Sequence, residues 1–169
     1  MNNSTHANRH QRGITLLDLL ATLTISTILS IAAISGLSEL KANFSVMADK
    51  NSLLTLIKSA RQIAITNNTY TTVCRLKNNK CTDFSSPLTA FTDNNNNKIL
   101  DANDTAIATT EISSNAQVYW NRHNRVRFDP DGRAGGFNGT IRYCSANESF
   151  SVIISRIGRL RTNRTSLCW

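Results

Sequence analysis

Residues 12–40 read RGITLLDLLATLTISTILSIAAISGLSEL, and the run from Ile14 to Leu37 decides how the rest of the chain is read. Its 24 residues carry one charge, Asp18. As a helix they would extend about 36 Å, enough to cross a hydrocarbon layer of about 30 Å. Before this run, Met1 to Gly13 is polar, with Arg9 and Arg12 and no acid. A secretory signal peptide has a shorter apolar core and a cleavage site after it, which is not the order here. Positive residues ahead of the span favour a cytoplasmic leader and leave the larger C-terminal part on the outer side. A carboxylate in an apolar helix costs roughly 2.5–3.5 kcal/mol on insertion, so Asp18 is expected to have a partner or a function. The plainer alternative is a single-span anchor with Asp18 near the interface.

Working outward, Leu40, Phe44, Met47, Leu54, Ile57, Ala60 and Ala64 follow three- and four-residue spacing, with Lys41, Asp49, Lys50, Lys58 and Arg61 between them. This predicts an amphipathic helix over 38–68 that continues the first one, its apolar stripe serving as core. The pattern stops at Asn67-Asn68. Short β-rich runs follow: TYTTVCRL, LTAFTD, TAIATTEI, AQVYW, RVRFD, GTIRYC, SFSVIIS and a strand around Gly158 to Leu160, separated by Asn, Asp and Gly clusters. Helix first and strands afterwards reads as α+β, with antiparallel strands packed on the helix. The expected organisation is a leader over 1–13, a transmembrane helix over 14–37, the amphipathic helix over 38–68, a β-rich domain over 69–155 and an arginine-rich tail over 156–169.

A chain of 169 residues with 40% hydrophobic and 18% charged side chains is long enough for one ordinary domain and an appended segment. Cys74, Cys81, Cys144 and Cys168 form no C-x-x-C pair, which argues against a zinc ribbon or a thioredoxin-type site. They are expected to form disulfides in an oxidising compartment. The simplest of three connectivities joins Cys74 to Cys81 and Cys144 to Cys168. Catalysis has little support, because His123 is the one histidine beyond the leader and no strand-to-helix glycine loop is present. No cofactor is expected. Asp93, Asn95, Asn97, Asp101 and Asp104 fit positions of a calcium loop, yet Lys98 stands at the turn glycine's place and Asp104 at the bidentate glutamate's, so no metal site is assigned.

The heptapeptide Arg12-Gly13-Ile14-Thr15-Leu16-Leu17-Asp18 resembles the processing site of prepilins. The resemblance implies that a prepilin peptidase cuts after Gly13 and methylates Ile14, and that Asp18 pairs with a neighbouring subunit's N-terminal amine during assembly. Ile14 stands where the family usually has phenylalanine, and Asp18 where it has glutamate. Further along, FDPDGRAGGFNGTIRYC followed by IGRLR resembles the C-terminal half of the FimT and GspH branch of minor pilins and pseudopilins. This implies a type IV pilin-like fold: a long N-terminal helix, its first half transmembrane, packed on a C-terminal antiparallel β-sheet domain. It also implies an inner-membrane, single-pass protein with a periplasmic domain that later joins a pilus at the cell surface, with other pilin subunits as partners.

Charge adds a second line. Beyond residue 13 there are 17 basic and 11 acidic side chains, and residues 14–119 are balanced at eight each. Residues 120–169 hold nine arginines, no lysine and three acids. The arginine fork holds two phosphate oxygens at once, which a lysine ammonium does less well. The densest group is Arg156, Arg159, Arg161 and Arg164, with Gly158 expected to let a phosphate approach the backbone and with Arg159 and Arg161 expected on one side of a strand. Gly158-Arg159-Leu160-Arg161 resembles the GRxR signature of FimT proteins that bind DNA in natural transformation, which makes DNA a partner implied by the resemblance. The plainer reading is a structural minor pilin or type II secretion pseudopilin whose arginines contact an acidic neighbour or lipid headgroups.

Overall fold

The computed structural model describes residues 16–122, 124–145 and 148–165, except for the side chains of residues 32–39 and 42. Helix α1 runs Leu16–Thr66. The chain divides into two units, Met1–Leu40 and Lys41–Trp169. In the first, the described side chains from Leu16 to Ile31 are exposed. Thr22, Thr24, Ser26, Thr27 and Ser30 donate their hydroxyls to carbonyls of the preceding turn at 2.7–2.9 Å. These side chains therefore satisfy their own donors within the helix. Among the described residues no helix is long and apolar enough to cross a membrane. The run expected to do so, Ile14 to Leu37, begins outside the described residues, as do Gly13 and Ile14 of the processing site.

In the second unit α1 ends where the sequence pattern stops. Asn68 takes φ +50°, Asn68 N–H donates to Ile65 and Thr69 N–H to Ala64, so the last carbonyls are capped by a left-handed residue. The strands follow as β1 (Thr71–Lys77), β2 (Lys80–Asp83), β3 (Leu88–Thr92), β4 (Ala106–Thr110), β5 (Ala116–Trp120), β6 (Val126–Phe128), β7 (Gly139–Ser145), β8 (Ser149–Ile154) and β9 (Leu160–Arg164). One sheet has the order β2-β1-β3-β4, with β6 also paired to β1; the other has the order β5-β7-β8-β9. All pairings are antiparallel. Asn78 and Asn79, both at positive φ, make the two-residue turn between β1 and β2.

The core lies between the helix and both sheets. Val46, Leu53, Leu56, Ile57, Ala60 and Ala64 of α1 meet Val73, Leu88 and Phe128 of the first sheet and Ile141, Val152 and Ile154 of the second. Truncating a fully buried side chain such as Leu53 would cost roughly 2–5 kcal/mol. The buried stripe differs from the expected one at its start. Phe44 and Met47 are 63% and 61% exposed, and Leu40 is exposed too, because the sheets begin to cover the helix at Val46 on an adjacent face. Buried Asp49 links the layers: Ser113 N–H donates to its two oxygens at 3.3 and 3.2 Å, and Tyr143 donates its hydroxyl at 2.6 Å. Burial and this acceptor push the Tyr143 phenol well above its usual pKa, so it stays a donor.

Residues 156–169, expected as a tail, contain the edge strand of the second sheet. Its register on β8 sets Leu160 opposite Ile154, Arg161 opposite Ile153, Asn163 opposite Ser151 and Arg164 opposite Phe150. The reason is local: Ser155 to Arg159 closes a tight turn that returns the chain along β8.

Candidate nucleic-acid interface

That turn is built from Arg156, Ile157 and Gly158. Ser155 N–H donates to Arg159 O at 2.9 Å, Gly158 N–H to Ser155 O at 2.9 Å, and Arg159 N–H to Ser155 Oγ at 3.0 Å. Gly158 has φ +77°, the left-handed position that a three-residue hairpin loop assigns to glycine. The turn is fastened from outside. Ala134 and Gly135 N–H both donate to Arg156 O at 3.1 Å. Half-buried Arg61 of α1 donates Nε to Gly132 O at 2.8 Å and Nη2 to Ile157 O at 3.4 Å. A Cβ on Gly158 would stand 1.9 Å from Gly132 O. Gly158 is buried, so the expectation that it admits a phosphate is corrected: the space left by its missing side chain is taken by a backbone carbonyl, and its N–H closes the turn.

The structure sorts the nine arginines. Arg125 is buried, 4.8 Å from the Phe137 ring centroid and with Nη2 donating to Asn96 Oδ1 at 3.3 Å. Burial lowers its pKa from the usual guanidinium value, and neighbouring Arg127 adds to this while Asp93 opposes it. Arg127 lies 4.1 Å from the Tyr70 ring centroid, and Arg133 is 3.8 Å from Asp131. Arg133 and the remaining six, Arg122, Arg142, Arg156, Arg159, Arg161 and Arg164, are exposed.

The four arginines read as one cluster fall in different places around the β9 edge. Arg156 is in the turn. Arg161, opposite Ile153, is on the sheet face away from buried Val152 and Ile154. Arg142 of β7 shares that face, opposite Ser151, with exposed Tyr119 beside it on β5. Arg159 precedes β9 and lines a groove of about 580 Å³ together with Lys58 and Arg61 of α1. Arg164 lines a different groove with Lys50, Glu148 and Phe150, and its Nε is 3.5 Å from Glu148. The expectation that Arg159 and Arg161 share one side is thereby corrected: Arg159, just before β9, faces the helix, and Arg161 the outer face. β9 itself is an extended edge about 17 Å long, comparable with the axial rise of about five phosphates on one DNA strand.

Sequence reading missed Arg142, Lys58 and Arg61. Arg142 is remote in sequence from the cluster, and only the β7–β8–β9 register brings it to the same face. Lys58 and Arg61 stand in the sequence among the charged residues between the apolar positions of the helix, and their i, i+3 spacing beside Ile57 and Ala60 is the available signal.

Cys74 and Cys81 are joined, with Cα atoms 5.8 Å apart. Cys144 is also disulfide-bonded, and Cys168, its expected partner, lies outside the described residues, as does His123. Asp18 is exposed near the start of α1. In the Asp93–Asp104 loop the carboxylates are held by protein donors: Asp93 by Thr72 Oγ1 at 2.9 Å, Asp101 by Asn97 Nδ2 at 2.8 Å and Asn103 N–H at 2.9 Å. Among the described residues no group of three acidic, histidine or cysteine side chains converges as a metal cage.

The family model for type II transport protein GspH matches residues 50–158. The type IV minor pilin FimU of Pseudomonas aeruginosa (strain PAO1) is similar in structure in two crystal forms. In space group P21 the TM-score is 0.56 at 15% identity, covering 76% of this chain and 98% of that one. In P65 it is 0.55 at 14% identity, covering 73% and 99%. No curated protein sequence matches the chain. The structural likeness establishes the fold and the family match spans more than half of the chain: it belongs to the GspH family and has the fold of a type IV minor pilin.

Proposed function

We propose that this protein is a minor type IV pilin that captures DNA by its phosphates, without sequence preference, for uptake in natural transformation. The observation that carries this reading is the division of the arginines. Arg125 and Arg127 near the first sheet lie over aromatic rings, whereas Arg142, Arg156, Arg159, Arg161 and Arg164 are exposed around one sheet edge, Arg164 there pairing with Glu148. Arginine forks on a rigid strand bind phosphate with less ordering cost than arginines on a free tail. A disulfide from Cys144 to Cys168 would fasten the chain beyond β9 as well.

In the same reading a prepilin peptidase removes residues 1–13 after Gly13 and methylates Ile14. The first half of α1 then holds the subunit in the inner membrane with its β domain in the periplasm, and Asp18 pairs with another pilin's amine on assembly into the pilus. The hydroxyls bonded back along α1 support an apolar surrounding for that segment. The second reading is a structural minor pilin or type II secretion pseudopilin that primes a fibre without DNA, and the match to a type II transport family favours it.

The Lys41–Trp169 unit contains all the buried core residues among those described, and folded FimU chains correspond to about three-quarters of this chain. That unit is therefore suitable for titration with labelled duplex DNA. Native protein should bind with strong salt dependence, and Arg159→Gln/Arg161→Gln should lose at least roughly tenfold in affinity. Equal binding by both, or none, would favour the structural reading.

A further inference from the structure

The groove between α1 and β9 is lined by Lys58, Arg61, Gln62, Ile65, Arg159 and Leu160. We propose that it is a second seat for DNA phosphate: a backbone held along β9 continues past Arg159 into the groove, and Lys58 is the side chain that meets it there. The inference rests on the DNA-binding reading and extends the interface from the sheet edge onto the helix.

Among the described residues, three cations and no carboxylate line this groove. Cations brought together in a concave surface repel one another and concentrate a field that an anion relieves. The groove that holds Arg164 has Lys50 as well but also Glu148, so its positive excess is smaller. Within the cationic groove the three side chains have different tasks. Arg61 is fixed by Gly132 O and Ile157 O, so it holds the turn that carries Arg159 against the helix. Lys58, one turn earlier on the same helix face, is exposed. Its ammonium is a compact charge on a flexible stem, suited to a phosphate contact that reads no base. Gln62 adds a neutral donor, and half-exposed Ile65 forms an apolar wall.

The test is the affinity of the Lys41–Trp169 unit for duplex DNA across a salt series, for native protein, Lys58→Gln, Lys58→Arg and a control with the same charge change, Lys77→Gln, in the first sheet. Lys58→Gln should weaken binding roughly three- to tenfold, uniformly across sequences, and make the slope of log affinity against log salt about 0.9 shallower. Lys58→Arg should restore both, and Lys77→Gln should change neither. If Lys58→Gln behaves as Lys77→Gln does, while Arg159→Gln/Arg161→Gln still loses binding, the groove is refuted and the arginine edge stands. If native protein does not bind, both are refuted.

Discussion

Arg125 and Arg127 at β6 of the first sheet lie over the rings of Phe137 and Tyr70, while Arg142 and Arg161 of the second sheet stand exposed on the face away from the core. The four residues are alike in charge and all lie in the arginine-rich last third of the chain. β6 and β9 each pair with one strand, β1 and β8, so the difference lies in what stands beside the side chains: rings of Phe137 and Tyr70 at β6, and the outer face of the second sheet at Arg142 and Arg161. A local excess of arginine therefore mixes two populations, one that packs and one that faces outward, and the groups beside each side chain separate them.

The largest effect expected from disturbing this division is at the turn that carries the outward arginines. Gly158→Ala places a Cβ on Gly132 O and forces alanine into a left-handed conformation. It should cost roughly 2–4 kcal/mol in urea unfolding. A cost under about 0.5 kcal/mol would mean that the turn is not held as described. Next is Tyr143→Phe, which leaves buried Asp49 with Ser113 N–H and removes its shortest donor. A loss of about 1–3 kcal/mol is expected, again by urea unfolding. Because the phenol stays protonated well beyond its usual range, the native-to-variant difference should be flat between about pH 6 and 9. A difference that fades across that interval would contradict the assignment of Tyr143 as donor.

Much of the fold was legible before the structure. The break in periodicity at Asn67-Asn68 marks the helix end within about two residues, since asparagine tolerates the left-handed cap. The alternation in GTIRYC and SFSVIIS gives β7 and β8 because each has one buried face. β2 was not legible: KCTD has no apolar alternation, and its place depends on the Asn78-Asn79 turn and the bond from Cys81 to Cys74. Phe44 and Met47 were misplaced because helical spacing shows that a face exists without showing which neighbour covers it. At the candidate interface the arginine-rich segment was visible as composition, but its shape was not. The sequence shows that Gly158 lacks a side chain, but the group that occupies the space, the Gly132 carbonyl, comes from a turn distant in sequence. Lys58 joins Arg159 only through tertiary packing, and Arg142 joins Arg161 only through register.

The smallest structural change tests the comparison most directly, because it alters charge equally in the two sheets. Duplex DNA binding should be measured for native protein, Arg125→Gln/Arg127→Gln and Arg142→Gln/Arg161→Gln, each checked for folded fraction under the binding conditions. The account predicts that the β6 pair loses about 1 kcal/mol of stability with affinity kept within about twofold, while the β7–β9 pair keeps its stability and loses at least roughly tenfold in affinity. Equal loss of affinity in both pairs would show that net charge alone attracts DNA and would contradict an interface at the edge of the second sheet.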